Sequence, residues 1–312
     1  MDKKKLLVTF SGGETSAFMS YWLHKHKRDE YEIIFVFANT GMESDETLLF
    51  IHKCEETFGI KIHWIEAKVY HNEKKGCGFR EVDFESACTN LDWKLTENTP
   101  FEQVIKKYGI PNHSRLHCTR ELKMNPIKAF AKSIWGNEKY YLALGIRSDE
   151  FDRMNSKAKE LRIIYPLISK DMQPMTKKHI NFWWGNFPFR LNLKGYQGNC
   201  GACYKKSNNK LFQMVKDDLN YFEFLVAMEE KYGNPNGKIP QKIYTTEIDE
   251  ETGEEYESWH LETLPKEEYK NVFFRNFVSA KEMIELGQKW NGNVTDDSIE
   301  TESCDVYSGC GD

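Results

Sequence analysis

Residues 6–22 narrow most sharply what this chain can fold into. A short apolar run, Leu6, Leu7, Val8, Thr9 and Phe10, is followed by Ser11-Gly12-Gly13-Glu14-Thr15-Ser16. Phe18, Tyr21 and Trp22 then recur at helical spacing. The pattern reads as strand, glycine turn, helix. Adjacent glycines let a backbone approach a ligand closely, and hydroxyls at Ser11, Thr15 and Ser16 add hydrogen-bonding groups. The amides of the new helix would point at whatever sits there, which favours an anion such as phosphate. The turn has neither the Gly-Lys-Ser/Thr ending of a Walker loop nor the spacing G-x-G-x-x-G. A plain structural turn is the competing reading.

The next stretches repeat the alternation. Strands are expected over 33–39 and 62–69, and helices over 15–27, 45–57 and 100–108. Near-continuous apolar strands separated by helical patterns predict a doubly wound α/β fold with a parallel sheet. Ligands in such sheets bind beyond the carboxyl ends of the strands. Asn39-Thr40-Gly41, with Glu43 and Glu46, follows the second strand and is a second candidate segment there. Residues 70–100 read as an irregular polar insertion, and a strand at 140–145 and a helix at 176–184 follow. One long helix is expected at 208–231, then a β-hairpin with an acidic tip. These divide the chain into an α/β domain (1–165), a mostly helical part with the hairpin (166–290) and a tail (291–312).

Length and composition bound the partners. The 312 residues are 40% apolar and 29% charged, with net charge −5. That is ordinary for a soluble globular chain and gives no global pull toward nucleic acid. Lysine and arginine gather at 115–132, 153–162 and 170–210, against an acidic stretch at 247–257. A basic face on an acidic chain therefore stays open. No apolar run approaches the ~20 residues of a membrane span, and the opening residues lead into a strand rather than a signal peptide. The expectation is a cytoplasmic protein without membrane contact; a homodimer is left open.

In such a compartment the eight cysteines point to metal or redox chemistry rather than disulfides. Cys200 and Cys203 form a C-x-x-C turn, and Cys118 lies 82 residues before Cys200. Cys54 and Cys88 read as packing residues. Arg147 and Arg153 follow the strand at 140–145, where their forks suit anionic oxygens. Lys123 stands just before Pro126, which opens a helix.

In order along residues 5–215 these pieces resemble the ATP-pyrophosphatase and PAPS-reductase superfamily. They are the loop S-G-G-x-T-S, the stretch T-G…E-T with Asn39 where Asp is usual, and C-x-x-x-x-K-x-x-P (Cys118, Lys123, Pro126). G-x-R-x-x-E with Gly145, Arg147 and Glu150, then Arg153, and G-x-C-x-x-C complete the series. The resemblance implies an adenine nucleotide alpha-hydrolase-like fold of the HUP type. It implies nucleotide contacts from Ser11, Gly12, Gly13, Thr15, Ser16, Asn39, Thr40, Gly41, Glu46, Gly145, Arg147 and Arg153, with Lys123 and Arg147 acting on phosphate or sulfate. It also implies a [4Fe–4S] cluster on Cys118, Cys200 and Cys203. His117 stands where iron-dependent relatives carry another cysteine, as a fourth ligand or beside an open iron site. Zinc or a metal-free thiol pair are the alternatives.

The function implied is an enzyme that binds ATP, with Mg2+ as its companion, releases pyrophosphate and transfers sulfur to an acceptor such as tRNA or DNA. The intact glycine loop favours this over reduction of adenylylsulfate or its 3′-phosphate (APS or PAPS) to sulfite. That alternative would use the tail thiol Cys310 as nucleophile. A non-catalytic nucleotide-binding regulator is a third reading.

Overall fold

The computed structural model describes residues 3–249, 252, 254–265 and 267–294. Cys304 and Cys310 lie outside the described residues, and so does the role expected of Cys310. Strand β1 (Lys4–Thr9) leads into helix α1 (Glu14–His26), β2 (Tyr31–Asn39) into α2 (Asp45–Phe58), and β3 (Ile62–Lys68) follows. β4 (Gly78–Val82) pairs antiparallel with β3 along the sheet edge. The expected loop at 70–100 thus contains a strand. Its half-exposed residues show little apolar alternation, so only pairing with β3 makes it one. Then come α3 (Pro100–Tyr108), the short α4 (His117–Thr119), a π-helical turn (Arg120–Met124), α5 (Asn125–Trp135), β5 (Tyr141–Ala143) and β6 (Ile163–Ile164).

The six strands lie in the order β4-β3-β2-β1-β5-β6, all parallel except β4. Alternate side chains of β1 face opposite ways. Leu6 and Val8 pack with Phe18 and Met19 of α1 and Leu48 and Ile51 of α2. Leu7 packs on the other face with Ile127, Phe130 and Trp135 of α5. Helices therefore cover both faces, and the sheet is of the expected α/β kind. The order reverses at β1, whose neighbours β2 and β5 are reached in opposite directions. A crevice opens at such a switch point, beyond the carboxyl ends of β1 and β5.

α6 (Lys177–Gly185) buries Ile180 and Trp184 in the same core as α1 and α2. The expected boundary at 165/166 therefore falls inside one packed core. A second core is built from α3 and the later helices α7 (Asn208–Asp217), α8 (Asn220–Tyr232) and α9 (Ala280–Lys289). The single helix expected at 208–231 is two, because Asp218 adopts an extended backbone. The hairpin forms as expected, β7 (Lys242–Ile248) pairing with β8 (Glu255–Leu261). No helix among the described residues is long and apolar enough to cross a membrane.

Candidate functional site

The glycine turn sits at the mouth of that crevice. Gly12 has φ +83°, and a Cβ there would fall 2.6 Å from Thr47 Cγ2 on α2. Both facts require glycine. Ser16, in the first turn of α1, knits the loop: its hydroxyl donates to the Gly13 carbonyl (2.9 Å) and accepts from the Ser11 amide (3.1 Å). The Ser11 hydroxyl also lies 3.1 Å from it. Gly13 is the N-cap residue, and no side chain caps α1. By contrast, Ser44 caps α2 by accepting from the Thr47 amide. The first-turn amides of α1 are therefore left to a ligand or to water. Glu14, which would repel an anion, instead pairs bidentately with Arg190 at 2.9 and 2.7 Å.

The loop after β5 meets the glycine loop from the other side of the crevice. Gly145 lies against the first turn of α1, so that a Cβ there would be 3.4 Å from Ser16 Cα. Arg147, 6% exposed, donates from Nη1 to Thr15 Oγ1 (3.2 Å) and from Nε to Asp149 (3.0 Å), and pairs with Glu150. Burial pushes the Asp149 carboxyl up, but its bond and charge interaction with Arg147 prevail and hold it below its ordinary range. Arg153 engages the other oxygen of Glu150. The result is a buried guanidinium held by two carboxylates beside an uncapped helix start.

The segment after β2 is organised differently from its expected role. Asn39 is fully buried, donating to Glu66 Oε1 and to the Cys88 carbonyl (both 2.8 Å) and accepting from the Gly41 amide (3.2 Å). Both of its N–H donors are used within the protein, and its Oδ1 accepts one bond. Glu66 also accepts from Arg80 and from the Cys88 amide. A carboxylate at position 39 would face that of Glu66, which explains asparagine here. Glu46 is exposed in the first turn of α2. The buried acid is Glu43, 1% exposed, which accepts from the Thr40 amide (2.9 Å) and hydroxyl (2.7 Å). Gly41 turns the chain with φ +76°.

The three candidate cysteines are half-buried. Cys118 Sγ lies 3.1 Å from the Tyr204 hydroxyl, so the residue after Cys203 reaches Cys118. His117 turns to α3 instead, its Nε2 lying 3.1 Å from the Gly109 carbonyl. Burial lowers its pKa below the usual histidine value. Among the described residues no group of three or more His, Cys, Asp or Glu could hold a metal ion. In this arrangement the Cys118 thiol lies against the Tyr204 hydroxyl and the His117 ring lies against the Gly109 carbonyl. Lys123 lies half-buried in the π-helical turn. Of the nearby cations, Arg120 pairs with Glu121 and Arg115 with Asn271.

Three residues of this region carry no sequence signal. Thr47 fits under Gly12; Asn199 donates to the Ser11 carbonyl (2.7 Å). Lys206, 6% exposed, donates to the carbonyls of Cys200 (2.6 Å) and Gly201 (2.7 Å). Asn199 adjoins the C-x-x-C and Lys206 stands between Lys205 and Ser207, and neither neighbourhood marks these contacts.

No family model matches the chain. It is similar to an uncharacterized nin region protein, ORF290, of Escherichia phage lambda, with 27% identity over 212 residues. That likeness covers 68% of this chain and 70% of the phage protein. It is also similar to the uncharacterized protein MJ0066 of Methanocaldococcus jannaschii, with 26% identity over 156 residues. This covers 50% of the chain and spans only 25% of the archaeal protein.

Proposed function

We propose that the glycine loop binds the phosphates of ATP and that the chain, an adenine nucleotide alpha-hydrolase-like enzyme of the PAPS-reductase superfamily, releases pyrophosphate while adenylating an acceptor. The observation that carries this reading is the buried Arg147 fork on Thr15, at the start of an uncapped helix in the switch-point crevice. An acceptor oxygen attacks the α-phosphorus, the bond to the bridging oxygen breaks, and pyrophosphate leaves with its electrons. The α1 amides hold the departing phosphates, joined by the Ser11 hydroxyl when it turns from Ser16, whose own hydroxyl keeps the loop in shape. Arg147 meets the charge that grows on them. Mg2+ arrives as part of the substrate. Displacement of the adenylyl group by sulfur from an outside donor, with tRNA or DNA as acceptor, is the step that the family resemblance adds.

The test is a product assay on anaerobic protein given ATP, APS and PAPS in parallel with a reductant. Pyrophosphate from ATP, increased by RNA or DNA, is the expected result. Sulfite from a sulfonucleotide would replace this reading with that of a reductase. Tight ATP binding without turnover would make the chain a regulator.

A further inference from the structure

From the last turn of α6 the chain is fastened to the glycine loop at three residues. Trp184 Nε1 donates to the Glu14 carbonyl (2.9 Å). Arg190 grips the Glu14 carboxylate. Asn199 Nδ2 donates to the Ser11 carbonyl (2.7 Å) and packs so closely that a Cβ on Gly13 would lie 3.2 Å from it. The next residues are fastened to the loop after β2. Cys200 forms an isolated bridge with Glu43, and the Gly201 amide donates to the Met42 carbonyl (3.1 Å). Lys206 then holds the Cys200 and Gly201 carbonyls from inside.

Asn199 is thus the joint between two things that sequence places far apart. Its side chain is on the glycine loop, and the peptide that follows it leads into the thiol turn. Phosphate bound by the loop amides fixes the peptide planes around Ser11–Gly13, and the Ser11 carbonyl belongs to them. A ligand shifts an equilibrium only through contacts that differ between states. The Asn199 bond to the Ser11 carbonyl is the contact through which such a difference would reach the turn.

We infer that Asn199 is a positioning residue that couples nucleotide occupancy of the glycine loop to the order of the turn Cys200–Cys203. This rests on the loop being the nucleotide site. Filling the loop strengthens the Asn199 tie and so steadies the two thiols; emptying it loosens that tie and leaves the turn to the contacts with Glu43, Met42 and Lys206. Linkage makes the coupling mutual, so a perturbed turn weakens nucleotide binding by the same factor, on the order of 5–150-fold in systems of this kind.

The experiment is hydrogen exchange by mass spectrometry on the full chain, with and without Mg-ATP, with ATP affinity measured separately by equilibrium dialysis. In the wild type, ATP should slow exchange of the Gly201–Cys203 amides at least ~5-fold. Asn199→Ala and Asn199→Asp, which remove the donor, should still bind ATP but lose that protection. Arg190→Ala, which cuts a different tie, should keep it. ATP bound by the wild type without protection of the turn overturns the coupling alone. Protection that survives in Asn199→Ala, or vanishes equally in Arg190→Ala, overturns the assignment to Asn199. Failure of the wild type to bind ATP overturns the functional reading and the coupling with it.

Discussion

Arg147 and Thr15 touch across the mouth of the crevice, Nη1 to Oγ1 at 3.2 Å, although 132 residues separate them in sequence. The contact joins the loops after β1 and β5, the two strands that diverge at the switch point. Arg147→Ala should lower ATP affinity at least ~10-fold, because a charge-assisted contact to phosphate is lost. It should also cost about 1–3 kcal/mol of stability, since buried Glu150 keeps only Arg153 of its two guanidinium partners and Asp149 loses its own. Arg147→Lys should restore part of the stability and little of the affinity, lacking the fork. Calorimetric titration and urea unfolding check the two effects separately.

Gly12→Ala brings a methyl group to within 2.6 Å of Thr47 Cγ2 at φ +83°. A loss of about 1–3 kcal/mol is expected from strain and overlap together. Adding Thr47→Ser removes the opposing methyl and should recover the overlap part but not the backbone part. A double-mutant cycle reads the difference, and strict additivity would contradict this packing.

Asn39→Asp would set a second carboxylate 2.8 Å from Glu66 in a site with no exposure. The expected cost is about 2–4 kcal/mol near neutral pH. It should shrink in mild acid, where the pair can share a proton. Urea unfolding at the two pH values distinguishes this from a simple loss of the Cys88 contact, which acid would not repair.

Cysteine chemistry divides by burial. Burial pushes the thiols of Cys54 and Cys88 well up and that of Cys77 up to about 12, whereas Cys118, Cys200 and Cys203 are half-exposed. Native iodoacetamide labelling should modify the second group first and reach the first only on unfolding. Peptide mass spectrometry gives the order; early labelling of Cys54 would refute it.

Glu229 carries a pH dependence of its own. Burial pushes its carboxyl up to about 7, against the Phe273 and Ala280 amides, which donate to it and pull the other way. The folded state therefore holds a proton that the unfolded chain has released above about 4.5. Stability should fall as pH rises between those values and level off above them. The total fall attributable to this group is on the order of 3 kcal/mol across the window. It should be absent from Glu229→Gln unfolding curves.

The sequence announces features whose cause is local. β1, the glycine turn and α1 are legible because apolar period, Gly12-Gly13 and hydroxyls fall together in one short run. β4 is hidden, since Phe79, Arg80 and Glu81 become a strand only by pairing with Ala67, Glu66 and Ile65. The break between α7 and α8 has no glycine or proline to mark it. Glu46 and Glu43 are indistinguishable as letters; which one is buried depends on Thr40 and on how α2 begins. Asn199 and Thr47 acquire their roles from distant backbone, and periodicity cannot report that. The cysteine spacing is legible, but the approach of the Tyr204 hydroxyl to Cys118 is not.

The ties from Trp184, Arg190 and Asn199 to residues 11–14 also set an order on the birth of the site. Trp184 follows Glu14 by 170 residues and Asn199 follows Ser11 by 188. A chain synthesised from its N-terminus offers the glycine loop long before it offers what holds it. At about 5–20 residues per second, the interval is on the order of ten seconds or more. During that time β1 can pair with β2 and then with β5, but the restraining segment does not yet exist. The first motif to be synthesised is therefore among the last to be completed.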